Sequence, residues 1–86
     1  MLKNELLREI EKWTEKLEER LPKLKPVDDS GKELLENARA YRRDSEHFLE
    51  NDRLIESYES LIWAWAYVDI GERLDHLERS RDQSRE

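Results

Sequence analysis

Apolar residues recur along this chain at steps of three and four, the spacing that lines one face of an α-helix. Leu6, Ile10, Trp13, Leu17 and Leu21 form the first stripe, while Glu5, Glu9, Glu11, Lys12 and Glu15 occupy the opposite side. The pattern predicts a helix over residues 3–21, ended by Pro22, which disfavours helical geometry at the residue before it. Leu34, Ala38, Tyr41, Ser45 and Phe48, widened by Leu35 and Leu49, predict a second helix over 31–50. Ser30 and Glu33 stand at the spacing of a capping box at its start. A third helix over 52–78 follows, with Asn51 or Asp52 as its N-cap. So short a connection makes helices two and three antiparallel.

The third segment carries two stripes. Leu54, Tyr58, Leu61, Trp65 and Val68 mark one, and Trp63, Tyr67, Ile70, Leu74 and Leu77 mark another on nearly the opposite side. Between them lies LIWAWAYV, Leu61 to Val68, an apolar run far short of the roughly 20 residues a bilayer requires. A helix apolar on both sides has to be covered on both. The first stripe suits helices one and two, and the second is left for the rest of the bundle or for another subunit. The predicted class is all-α, an up-and-down antiparallel three-helix bundle. It forms a single domain over 1–79, with a polar tail at 80–86 expected to fray. Three of the four glycines and prolines fall between Pro22 and Gly31, so PKLKPVDDSG is the one substantial linker expected.

Composition narrows the function classes. The 86 residues are 44% charged with a net charge of −6, which repels phosphate backbones and disfavours nucleic acid as a partner. The chain has no cysteine, which removes disulfides, thiolate metal sites and thiol nucleophiles together and fits a cytoplasmic location. The opening MLKNELLREI lacks the pattern of a secretory signal. A chain this short buries only a little over half of the surface its unfolded form exposes, so help from a second copy is expected.

Ala38, Tyr41, Asp44, Phe48-Leu49-Glu50, Ala64, Asp69, Gly71 and Arg73-Leu74 stand at spacings that closely resemble a family of short archaeal helical proteins, domain-of-unknown-function family 357. The residue-level likeness covers a little under half of the chain and is sharpest in its D-x-G-x-R-L ending. The chain departs from the family's usual pattern at Asp52-Arg53, where Gly-Asp is usual, and at Ala66, where glycine is usual. The resemblance implies an up-and-down three-helix bundle and no established activity.

Few residues carry candidate chemistry. Asp69 is the one charged residue between Leu61 and Ile70, Arg73 follows one helical turn later, and Asp44 lies at the edge of the second helix's stripe. These three are expected to form one polar cluster, either structural or ligand-binding. Gly71 sits mid-helix at a cost of about 0.5 to 1 kcal/mol against alanine, which close packing of a neighbouring helix or of a symmetry mate is expected to offset. Arg42 and His47 have the spacing of a helical ribonuclease motif but project roughly 140° apart. Asp44 and His47 make a single weak pair where a bundle metal centre needs several, so no metal and no cofactor is expected. Arg39, Arg42 and Arg43 form one basic spot, an RNA-contacting alternative, although Glu36 and Glu46 lie at pairing distance along the helix. The favoured reading is a non-catalytic interaction module, a homodimer or a binder of another protein, using Trp63, Tyr67, Ile70, Leu74 and Leu77. The competing reading is an enzyme or small-ligand binder built on Asp44, Asp69 and Arg73.

Overall fold

The computed structural model describes residues 1–80. The rest of the tail expected to fray, residues 81–86, lies outside the described residues. Three helices dominate: α1 (Leu2–Arg20), α2 (Asp29–Glu50) and α3 (Leu54–Arg73). A 3-10 turn, Leu21–Lys23, and strand β1, Leu24–Pro26, follow α1, and strand β2, Leu77–Arg79, follows α3. The first stripe behaves as its spacing predicts, with Ile10, Leu17 and Leu21 buried and Leu6 and Trp13 packed at the margin. Leu35 and Ala38 of α2 and Leu61, Ala64 and Val68 of α3 complete the centre.

α2 and α3 run antiparallel, as Ser45 meeting Ser57 and Tyr41 meeting Tyr67 require. α1 lies alongside α3 in the same direction, since Lys3 approaches Asp52, Trp13 meets Trp65 and Arg20 meets Glu72.

The all-helical expectation fails at two places. The linker is ordered: β1 pairs antiparallel with β2, Leu24 opposite Arg79 and Pro26 opposite Leu77. The third helix ends at Arg73, not near 78. Its end is a Schellman motif, in which the His76 N–H reaches the Gly71 carbonyl (2.8 Å) and the Asp75 N–H reaches that of Glu72 (3.2 Å). Asp75 takes the left-handed position, φ 65°. α2 ends the same way, with Arg53 N–H on the Phe48 carbonyl, Asp52 N–H on that of Leu49, and Asp52 at φ 60°. Asp52 therefore closes α2, and neither it nor Asn51 caps α3, whose N-cap is Arg53.

The start of α2 also differs. Asp28, not Ser30, is the N-cap, accepting the Gly31 N–H at 2.8 Å, and Ser30 lies inside the first turn. At the other junction, Leu21 keeps right-handed helical geometry (φ −55°, ψ −44°), so Pro22 tightens the chain into the 3-10 turn after α1 closes at Arg20.

Leu77 is the clearest correction. It is 2% exposed and belongs to the core, because the turn at Asp75 folds the chain back and carries it off the helical face its spacing suggests. There it fills the space beside Gly71, where a Cβ would stand 2.4 Å from Leu77 Cδ1. The neighbour that Gly71 accommodates is thus a strand residue of the same chain rather than another helix. Gly31 is tighter still, its notional Cβ lying 2.0 Å from the carbonyl oxygen of His76.

Candidate interaction surface

α3 carries large apolar side chains on both of its sides. Its buried side combines Leu61 and Val68 with the small residues Ser57, Ser60, Ala64 and Gly71, which let α2 and the strap formed by β1 and β2 approach closely. Ser45 and Ser57 bond reciprocally across that seam, each hydroxyl donating to the other's carbonyl at 2.9 and 2.8 Å. On the outer side Ile55, Ile62, Trp63, Ile70 and Leu74 are 46 to 67% exposed. At about 100° per residue these five fall within one continuous outward sector, with Ala66 near its middle. Trp63 is braced from behind, stacked on Tyr41 of α2 (centroids 6.1 Å) and tilted against Tyr67, which itself stacks on Tyr41.

Four of the five expected interface residues, Trp63, Tyr67, Ile70 and Leu74, therefore share this side, and Leu77 does not. Ile55, Ile62, Ala66 and Tyr41 belong with them. Their signal was present in the spacing of Ile55, Ile62 and Ala66, but the inward stripe of Leu54, Tyr58 and Leu61 ran beside it and masked it.

The expected polar cluster forms only in part. Arg73 Nε donates to Asp69 at 2.9 Å on the exposed surface. Asp44 is level with Ser57 and Tyr58, as the Ser45–Ser57 contact fixes, and Asp69 lies some three helical turns, about 17 Å, further along α3. The single carboxylate and its arginine are an i,i+4 surface pair, and the three residues do not share a site.

The concavity beside Asp69 lies between α1 and α3, with a volume of about 670 Å³, and is walled by Trp13, Tyr58, Ile62 and Trp65. Trp65 holds it in shape, edge-on to Trp13 and donating its indole N–H to the Trp13 carbonyl at 3.2 Å. Below it, Glu72 receives Arg20 from α1 and Arg79 from β2, both at 3.0 Å, and clasps three elements at one end of the fold. Sequence reasoning missed this clasp because Arg79 is brought in by the turn at Asp75. Arg42 is committed to Glu18 and Glu46, whereas Arg39 and Arg43 are exposed with no ion pair among the described residues.

Two carboxyls are held below their ordinary range. Asp28 accepts the Gly31 backbone N–H and then a side-chain bond from His76, whose Nδ1 lies 2.9 and 3.1 Å from its two oxygens. Glu56 is lowered by a backbone N–H at the start of α3 and by Arg53. Both favour the charged form and both serve helix termini. Among the described residues no group of three or more metal-binding side chains converges, and no helix is long and apolar enough to cross a membrane.

The model of the family described as protein of unknown function (DUF357) matches residues 12–77. The chain belongs to this family. A crystal structure of the DUF357 protein AF1782 from Archaeoglobus fulgidus is similar throughout. Its TM-score is 0.85 at 35% sequence identity, over 93% of this chain and 100% of that one. No curated protein matches. Family membership thus accounts for the three helices and brings no activity with it.

Proposed function

We propose that this DUF357 protein is a non-catalytic interaction module that associates with a second copy of itself through the outward side of α3. The scaffold behind that side is read as an up-and-down bundle, with α1 and α3 running one way and α2 the other. The observation that carries the proposal is the exposure of large apolar side chains along the outer side of α3. Five large apolar side chains stand in water on one helix while small residues on its other side meet α2 and the strap. Covering apolar area is favourable by roughly 25 cal/mol per Å², and exposed apolar side chains clustered on one side of a helix in a small acidic domain mark a contact surface. Bracing of Trp63 by Tyr41 and Tyr67 reduces the entropy lost when a partner arrives. Two-fold pairing is the commonest way to cover such a side.

The enzyme reading loses its basis, since Asp44 stands apart from Asp69 and Arg73. The RNA reading retains only Arg39 and Arg43. A cytoplasmic location belongs to the same proposal and rests on the absence of cysteine.

Sedimentation equilibrium from low to high micromolar concentration tests the function. A monomer–dimer equilibrium is expected, and Ile62→Glu or Trp63→Glu shifts it to monomer with the helical content unchanged. A wild-type chain that stays monomeric throughout, or a dimer indifferent to both substitutions, overturns the proposal.

A further inference from the structure

We infer that the two α3 helices pair antiparallel with the two-fold axis beside Ala66, and that Glu59 of each copy bridges Arg73 of the other. This rests on the self-association proposed above and adds the register and the charge contact that set it.

Ala66 is the small residue near the middle of the outward sector, and the residues about it are arranged in matched pairs. Ile62 and Ile70 stand four positions either side of it, and Glu59 and Arg73 stand seven either side. In an antiparallel pair related by a two-fold axis at Ala66, residues equidistant from the axis meet at the same height. Ile62 then packs on Ile70 of the second copy, and Glu59 lies opposite its Arg73. Every contact occurs twice, as an isologous interface requires.

Charge supports the same register. Glu59 has no ion-pair partner among the described residues, and Arg73, with a side chain 75% exposed, is held only by Asp69 from its own turn. The guanidinium has five donors in a planar fork and can accept a second carboxylate. In the paired state each Arg73 is flanked by its own Asp69 and by Glu59 of the other copy. A pairing shifted one turn toward the start of α3 sets Glu59 against Asp69 or Ile70, and one shifted the other way carries Glu59 past Arg73, where the helix has ended, so in neither does it meet a cationic partner. A parallel pairing aligns Glu59 with Glu59 and Arg73 with Arg73, so like charges oppose it.

The small side chain at the axis also sets the spacing. Helices meeting through alanine approach to about 8–10 Å, and each Cα lies about 2.3 Å from its own axis. The two Ala66 Cα atoms are then separated by about 3.4–5.4 Å, a span whose upper part a disulfide bridges. The native chain has no cysteine, so a thiol placed there reacts only with its counterpart.

Two measurements test the register. Ala66→Cys is expected to oxidise rapidly to a disulfide-linked dimer at low micromolar concentration, whereas Glu46→Cys, exposed on α2, stays largely monomeric. In sedimentation, Glu59→Arg and Arg73→Glu alone each weaken dimerisation by about tenfold, because two exposed like-charge contacts replace two attractive ones. The double exchange Glu59→Arg with Arg73→Glu restores it to within about threefold. Glu46, Glu59 and Arg73 are exposed and Ala66 is half-buried with only a small atom added, so circular dichroism should show unchanged folding. A dimer that persists with no effect of either reversal and no selective Ala66→Cys linkage overturns the register while leaving self-association standing. A monomeric wild type overturns both.

Discussion

Replacing Gly31 with alanine places a methyl carbon 2.0 Å from the His76 carbonyl oxygen, where ordinary contact begins near 3.4 Å. Something must move by about 1.4 Å, and the obstacle is backbone. The His76 carbonyl accepts the Val27 N–H at 2.8 Å, its own N–H closes the Schellman motif on Gly71, and its ring is held by Asp28. Displacing it breaks at least the Val27 bond, at about 0.5 to 1.5 kcal/mol, and forces strain of about 1 to 3 kcal/mol into a packed junction. Against this stands a gain of at most about 1 kcal/mol from alanine in a helix. The net expectation is a loss of about 0.5 to 3.5 kcal/mol, or a fall in Tm of a few degrees to about 25 °C for a domain of this size. Thermal unfolding followed at 222 nm measures it, and amide exchange at Val27 shows where the loosening occurs. An unchanged or raised Tm would refute the view that the strap after α3 is locked against the start of α2.

Three further outcomes follow from the same contacts. Ser45→Ala and Ser57→Ala each lower stability by about 1 kcal/mol, and the double variant loses less than the sum, because removing both hydroxyls leaves neither unpaired; a urea-denaturation double-mutant cycle reads the coupling. Asp75→Gly raises stability by about 0.5 to 1 kcal/mol in the same assay, since glycine takes the left-handed position without the Cβ penalty. Because the Asp28 carboxyl is held below its ordinary 3.8, its contribution is present above that pH and fades as the pH drops below it. Asp28→Asn should therefore flatten the acid limb of the stability curve over that range, leaving the part from Glu56, and an unaltered limb would contradict the assignment.

Residues with helical periodicity were readable wherever the helix continued. The stripes of α1 and α2 and the inner stripe of α3 are buried or packed as their spacing requires. What escaped the sequence was where α3 stops. Leu74 and Leu77 keep a helical step, and the residue that reverses the chain is an aspartate in a left-handed conformation, where glycine would have announced the turn. That one turn moves Leu77 from the outer side to the core, explains Gly71, and brings Arg79 to Glu72. Gly31 was legible as punctuation but not as a point of contact, because the atom it accommodates lies 45 positions further along the chain. The candidate surface was legible in Trp63, Tyr67, Ile70 and Leu74, and its full width was not. Ile55 and Ile62 are set outward by Ser57, Ser60 and Ala64 facing α2, a preference for small over large that hydrophobic pattern alone does not encode.

The outward side of α3 as the contact between copies is tested most directly by isotope-filtered NMR on an equal mixture of labelled and unlabelled chains. Intermolecular NOEs are predicted between the methyls of Ile62 and Ile70 and between Trp63 and the opposing helix. Intermolecular NOEs confined to α1 or α2, or none at concentrations where sedimentation reports a dimer, would contradict the account.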